Sequence, residues 1–278
     1  MPFDTRLTPE MSRRFRGAGL WGDVTFADVL AGRVKAHPDK IAVVDGERHV
    51  SYRALAHGID RMAARLRALG IEAGDVVAIQ LPNWAEFALV FFSLERLGAV
   101  AVTVSTDFRI RELTYICRFA GAKGFVCCGP FRGFDHPAMA AELRAAVPDL
   151  ALVATVRAPA RADMVALDDV VAAEGPAVGF TPHRGDADSV MRMAFTSGTT
   201  GNPKGVMHSH NTTLAATRIL NEDLGLAADE RMAIWLPLGL NWGYLTLVQA
   251  LQLGAMAVLM DRFRAADALD LLAGERVS

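Results

Sequence analysis

The chain's 278 residues carry 29 basic and 31 acidic side chains, a formal net charge of −2, so no overall basic field recommends nucleic acid or an anionic membrane surface as a partner. Hydrophobic residues make up 52% and charged residues 22%, the usage of a folded chain long enough for one large domain or two smaller ones, which excludes a disordered one. Cys117, Cys127 and Cys128 lack the spacing of a zinc site or a disulfide framework, and the N-terminal MPFDTRLTPEMSRRFRG lacks an apolar signal core; the expectation is reduced thiols, no metal site and a cytoplasmic protein.

In chain order, GAGLWG at Gly17 to Gly22 matches a GxGxxG string, but it follows the basic MSRRFR rather than a hydrophobic strand. It reads as a flexible N-terminal segment with Arg13, Arg14 and Arg16 in solvent. Ile41 to Val44 reads as a strand. Ser51 then caps a helix whose apolar positions Leu55, Ile59, Met62, Leu66 and Leu69 recur at spacings of four and three, with Arg53, Asp60, Arg61 and Arg65 facing away. Val76 to Leu81 is a buried strand, Pro82 to Trp84 a turn, Phe87, Val90, Phe91 and Leu94 one helix face, and Ala99 to Val104 the next strand, which together make a βαβ unit. From Arg157 to Ser189 prolines and glycines interrupt all periodicity, the mark of a linker. Val190 to Phe195 is again a strand, Gly205 to His208 a shorter one, and Asn211 or Thr212 is placed to cap the helix that follows.

Between Met232 and Met260 there is no Asp, Glu, Lys or Arg, a stretch longer than a bilayer requires. Pro237, Gly239, Asn241, Gly243 and Gly254 break it, so it reads as strand, loop, buried helix and strand rather than a membrane span. It also repeats an earlier plan: AIQLPNW, a helix and LGAVAV from Ala78 parallel AIWLPLGLNW, a helix and LGAMAV from Ala233. Strands alternating with helices predict an α/β fold of two related subdomains, with mostly parallel or mixed sheets covered by helices. The division expected is residues 1–185 for a first subdomain with an N-terminal extension, and 186–278 for a phosphate loop and the start of a second.

The phosphate loop is TSGTTGNPKG, Thr196 to Gly205. Gly198, Gly201 and Gly205 let a polyanion approach main-chain N–H groups. Thr196, Ser197, Thr199 and Thr200 add hydroxyl donors, and Lys204 adds a mobile positive charge. A Walker loop needs Gly before the Lys and Ser or Thr after it; Pro203 and Gly205 stand there instead. With a strand on either side, the loop has no dedicated helix dipole behind it, so its grip must come from N–H groups, hydroxyls and Lys204. His208 and His210 have no carboxylate or cysteine close in sequence, which favours local hydrogen bonding over a metal.

MAFTSGTTGNPKGVMHSH, Met193 to His210, resembles the phosphate loop of the AMP-forming acyl-CoA synthetase, or adenylate-forming, superfamily. PDKIAVVDGERHVSYRAL, Pro38 to Leu55, resembles its N-terminal signature, and LERLGAVAVTVSTDFRIREL, Leu94 to Leu113, its next block. The resemblance covers nearly the whole chain and implies two sheets facing each other. It also implies the reaction: a carboxylate attacks the α-phosphorus of ATP, pyrophosphate leaves, and the acyl group of the adenylate passes to a thiol, commonly coenzyme A. The partners implied are thus a small carboxylic acid, ATP with Mg2+, and coenzyme A; whether the protein forms a homodimer is left open.

By the same resemblance Thr196, Ser197, Gly198, Thr199, Thr200, Gly201 and Lys204 bind the leaving pyrophosphate. LPLGLNWGY, Leu236 to Tyr244, resembles the segment that lines the acyl pocket, placing Leu240, Asn241, Trp242 and Gly243 there. Many members have His or an aromatic residue where Leu240 stands, so a more apolar pocket is one expectation, and a plain core role for Trp235, Leu240 and Trp242 is the other. The family's magnesium-binding acid, ribose-binding aspartate and catalytic lysine find no match, so no catalytic residue is expected within these residues and the segment alone is expected not to make adenylate. Three functions remain open: a carboxylic acid:CoA ligase, toward which TFADVLAGR after Trp21 leans; an enzyme that loads a carrier protein; and a nucleotide-binding remnant without activity.

Overall fold

The computed structural model describes residues 5–158, 161, 163–196 and 203–278. The chain begins with α1 (Pro9–Gly17), α2 (Phe26–Ala36), β1 (Ile41–Asp45), β2 (Arg48–Ser51) and α3 (Tyr52–Ala68). It continues with β3 (Val76–Gln80), α4 (Ala85–Leu97), β4 (Val100–Thr103), α5 (Ile110–Ala120), β5 (Ala122–Cys128) and α6 (His136–Ala146). Then come β6 (Leu152–Val156), β7 (Val165–Ala166), α7 (Asp168–Ala172), β8 (Val190–Thr196), β9 (Lys204–Ser209) and α8 (His210–Asp223). The last four are β10 (Arg231–Ile234), α9 (Asn241–Leu253), β11 (Met256–Leu259) and α10 (Ala265–Gly274).

Two mostly parallel sheets result, as the alternation of strands and helices predicts. The larger runs β7-β6-β5-β3-β4-β8-β9, antiparallel only at β8–β9; the smaller runs β10-β11-β1-β2, antiparallel only at β1–β2. Each sheet draws strands from both sides of residue 185: β8 joins β4, and β11 joins β1. The period of two along the strands builds two cores. Val77, Ile79, Ala101 and Val126 enter one with α3, α4, α9 and the smaller sheet, while Val76, Ala78, Val102 and Phe125 enter the other with α5 and α6. Both faces of the central strands are therefore buried, which explains their unbroken apolar runs.

The repeated sequence is a repeated structure. β3–α4–β4 and β10–α9–β11 are both parallel βαβ units, one in each sheet. Their shared Leu-Gly-Ala has a common cause: Gly98 (φ 72°) and Gly254 (φ 79°) end α4 and α9 in the left-handed region, and the next residues, Ala99 and Ala255, donate to Leu94 and Ala250 five residues back. The charge-free stretch from Met232 to Met260 contains only the 13-residue α9, and among the described residues no helix is long and apolar enough to cross a membrane.

Several local expectations change. Ser51 caps α3 as its position predicts, accepting from the Ala54 N–H at 3.2 Å. The cap of α8 is Ser209 rather than Asn211 or Thr212, because β9 runs on through Ser209 and the helix starts at once. Asn211 instead pins the N-terminal segment: its Oδ1 accepts from the Gly22 N–H and its Nδ2 donates to the Gly22 carbonyl, at 3.0 and 2.9 Å. That segment is docked, and Arg16 is paired with Asp23 and Asp188. Asp60, Arg61 and Arg65 are half-buried: Arg96 pairs with Asp60 at 3.2 Å, and Arg61 donates to the carbonyls of Ala173 and Gly175 in the linker that folds over α3.

The two repeats meet through Asn83, in the turn between β3 and α4. Its side chain is buried; Oδ1 accepts from the Leu238 N–H at 2.8 Å, and Nδ2 lies within 2.9–3.1 Å of the carbonyls of Ile234, Leu236 and Met260. Removing the amide leaves the Leu238 N–H and the Met260 carbonyl unpaired in a buried site, where each such group costs about 1–3 kcal/mol, while the Ile234 carbonyl keeps the Met260 N–H at 2.9 Å. Asn83→Ala is therefore expected to lower the unfolding free energy by about 3 kcal/mol in urea titration. A loss below about 1 kcal/mol would mean that the Leu238 N–H and the Met260 carbonyl find other partners.

Candidate functional site

β8 and β9 form a hairpin whose connection is the glycine-rich loop. Thr196 ends β8, Lys204 opens β9, and the two are register partners, both exposed. Ser197, Gly198, Thr199, Thr200 and Gly201 lie outside the described residues. Beneath the hairpin mouth, Gly205 packs against the Phe195 ring, where a Cβ would stand 3.1 Å from the nearest ring carbon. The loop thus leaves the C-terminal end of β8, the side of a parallel sheet at which α/β folds bind ligands.

The Leu236–Gly243 segment lies at the same edge. Gly239 leaves no room for a Cβ against the Val104 carbonyl at the end of β4, and Gly243 leaves none against the carbonyls of Leu236 and Pro237. These contacts seat the segment and start α9. Leu240 is the N-cap residue, 39% exposed; Trp242 is 62% exposed; Asn241 is exposed and Gly243 buried. Trp235, 43% exposed, faces Phe263 at 5.9 Å between ring centres. All three side chains are exposed, which sets aside the plain core role for Trp235, Leu240 and Trp242.

One residue here escaped the sequence reading. Arg192, in the middle of β8, is fully buried; its Nε donates to Thr103 Oγ1 and its Nη1 to Asn241 Oδ1, both at 3.1 Å, and its guanidinium lies 3.9 Å from the centre of the Tyr244 ring. Burial lowers its pKa to about 10, so it remains charged at neutral pH. The signal was present as a lone arginine in the apolar run VMRMAF, but periodicity alone cannot say that both faces of β8 are covered. It is this arginine that ties the phosphate-loop strand to the start of α9.

The three cysteines are free and buried, and burial pushes Cys117 and Cys128 up to about 12 and raises Cys127 as well. Such thiols are not nucleophiles at neutral pH. Among the described residues, no group of three or more His, Cys, Asp or Glu side chains is placed to hold a metal.

The hairpin mouth and the start of α9 thus meet at the C-terminal edge of a mostly parallel sheet in an α/β protein, the side of such sheets at which ligands bind. The chain belongs to the AMP-binding enzyme family, whose pattern matches residues 30–278, within the adenylate-forming ligases. It is 34% identical over 266 residues to the medium-chain fatty-acid–CoA ligase of Escherichia coli, covering 94% of this chain and 46% of that one. It is 33% identical over 251 residues to the salicyl-AMP ligase / salicyl-S-ArCP synthetase of Mycobacterium tuberculosis, covering 88% and 44%. Among solved structures, apo MbtA of Mycobacterium smegmatis superposes with a TM-score of 0.87 at 30% identity, over 100% of this chain and 51% of that one. The chain thus spans about half the length of these relatives.

Of the two histidines after the loop, His210 is held by distant segments rather than by local hydrogen bonds. His210 Nδ1 accepts from the Phe26 N–H at 3.3 Å, and its Nε2 lies 4.0 Å from Glu95 Oε1. Burial holds His210 at about 4, and burial with the nearby Arg192 charge holds His208 there too, while burial pushes Glu95 up to about 7. The histidines take up protons in the unfolded chain near pH 6.5 but in the folded one only near 4, so the stability they carry is full above 6.5 and lost as pH falls through that window. Glu95 opposes them, since its stabilisation is full below its ordinary 4.5 and lost as pH rises to about 7. Glu95→Gln should therefore show a steeper loss of stability from pH 6.5 to 4 than the parent, read from urea midpoints across pH. Parallel curves would mean that Glu95 ionises as it does in the unfolded chain.

Proposed function

We propose that this chain carries the ATP-gripping and acid-recognising part of a ligase that activates a carboxylic acid as its acyl-adenylate and passes the acyl group to coenzyme A. The observation that carries this is the placement of Thr196 and Lys204 opposite each other at the mouth of the β8–β9 hairpin, at the same sheet edge as the exposed start of α9. A hydroxyl and an ammonium group there, with the N–H groups of a glycine-rich loop between them, suit the pyrophosphate that leaves when the carboxylate attacks the α-phosphorus. Catalysis of such a displacement is mainly positioning and charge neutralisation.

In this reading Thr196, Ser197, Gly198, Thr199, Thr200, Gly201 and Lys204 hold the phosphates, while Leu240, Asn241, Trp242 and Gly243 line the acid's pocket. The exposed Leu240 and Trp242 offer it an apolar, flat wall. Magnesium, which accompanies ATP in this family, meets no acidic cluster among the described residues, and no step is assigned to it. The likeness to the salicyl-S-ArCP synthetase supports a second acceptor, a carrier-protein thiol, and offering each thiol to the preformed adenylate separates the two.

In the full-length protein, Lys204→Ala is expected to slow acid-dependent ATP–pyrophosphate exchange about 10- to 100-fold, the worth of one charged hydrogen bond. An unchanged rate removes Lys204 from the phosphate site, and no exchange with any acid in the parent protein sinks the ligase reading. Trp242→Ala should change the ranking of acids by exchange rate; an identical ranking would exclude Trp242 from the pocket wall.

A further inference from the structure

The N-terminal arm, residues 5–25, holds both feet of the β8–β9 hairpin at once. Ser12 Oγ and Arg16 Nη2 donate to Asp188 Oδ2 at 2.5 and 3.1 Å, and Asp188 lies two residues before β8. That is one foot. At the other, Asn211 lies two residues beyond β9; its amide bonds both backbone groups of Gly22 and donates through Nδ2 to Asp188 Oδ1 at 2.6 Å. The Asn211 N–H joins the two feet directly, donating to the Ala187 carbonyl at 3.0 Å. Of the five bonds that the Asp188 and Asn211 side chains accept or donate here, four reach into the arm. Phe15 packs on Trp21 at 4.9 Å between ring centres, which folds the arm back on itself and brings Ser12, Arg16 and Gly22 to one place.

The hairpin needs a hold of this kind because β9 is the edge strand of the larger sheet and pairs with β8 alone. Its register is divided. At the foot Val190 stands opposite Ser209, and Asp188 opposite Asn211 continues that pairing outward. From Arg192 opposite His208 to Thr196 opposite Lys204, the pairing is displaced by one residue. Met191 takes up the difference as an extra residue in β8, a β-bulge. A bulge bends its strand and adds local twist, so this one helps decide where the hairpin mouth points.

The bulge exists only while foot and mouth keep different registers. With the foot released, Val190 can settle opposite His210 in the register of the mouth, and the bulge and its twist are lost. Edge strands are weakly specified against such slips. The bonds that oppose it are those of Asp188 and Asn211, the Ser209 cap of α8, and the Phe26 N–H, which donates to His210 Nδ1 at 3.3 Å.

We propose that the N-terminal arm is a clasp on the hairpin, and that Asp188 and Asn211 are positioning residues which, through the bulge at Met191, aim Thr196 and Lys204 at the phosphates of ATP. The effect on ATP rests on the acid-activating reading; the clasp itself does not. The arm thereby belongs to the nucleotide site although none of its residues is placed there.

Deleting residues 1–22 from the full-length protein tests the clasp, since α1 buries none of its residues and its loss opens no core. Hydrogen–deuterium exchange of the β9 amides is expected to quicken about tenfold or more, the worth of one or two hydrogen bonds, while β5 and β6 in the same sheet exchange as before. Unchanged exchange in β9 would overturn the proposal, and so would equal quickening in β5 and β6, which marks a general loss of stability. If the shortened protein does not fold, the double variant Ser12→Ala, Arg16→Met keeps the arm and removes its bonds to Asp188. It should show the same selective quickening, and none there refutes the clasp. In acid-dependent pyrophosphate exchange, the KM for ATP should rise about threefold or more with the KM for the acid unchanged. A parallel rise in both would remove Asp188 and Asn211 from the positioning role. No exchange with any acid in the parent protein sinks the ligase reading, while the deuterium result still decides the clasp.

Discussion

The amide of Asn83 is the interaction on which the rest of the arrangement depends. It belongs to the first βαβ repeat and is saturated by the backbone of the second, taking the N–H of Leu238 and facing the carbonyls of Ile234, Leu236 and Met260. Those groups stand at the ends of β10 and β11 and in the segment that leads into α9. In a buried site each would carry a desolvation cost without a partner, so the amide holds the C-terminal ends of the two sheets together and fixes where the Leu236–Gly243 segment can lie. Gly239 and Gly243 complete the constraint by letting backbone approach backbone where a side chain would not fit. An exposed helix start beside the phosphate-loop strand is the consequence.

Charge then distinguishes two units that share one plan. At α4, the Asp45, Glu86, Arg157 and Arg48 cluster balances itself across the two sheets, and Arg157 also covers the Trp84 ring at 4.1 Å. At α9 the equivalent place holds Arg192 and no carboxylate among the described residues.

Much of this was legible in the residues. Ser51 announced the start of α3 because an N-cap is a contact across three residues, and Leu-Gly-Ala announced the ends of α4 and α9 because a left-handed glycine and a five-residue back-bond are equally local. Where the reading failed, the missing information came from elsewhere in the chain. Asn211 looked like a cap, but its partner is Gly22, and Arg16 looked solvated, but one of its partners is Asp188. Arg61 belonged to a polar helix face by period, and the linker of residues 173–175 folds over that face. Arg192 was passed over inside a strand, because what makes it unusual is the absence of a counter-charge on elements far away in sequence.

The sequence by itself determined the alternation of strands and helices, the repeat at Ala78 and Ala233, and the family through Met193–His210. These rest on spacing within a few residues, where backbone geometry and hydrophobic period act directly. Only the tertiary structure decided that the two repeats fall in different sheets, that β8 extends the sheet of β3 while β11 pairs with β1, and that Trp242 and Leu240 are exposed while Arg192 is buried. Parallel pairing, desolvation and charge compensation depend on which distant segments come together, and no local period encodes that.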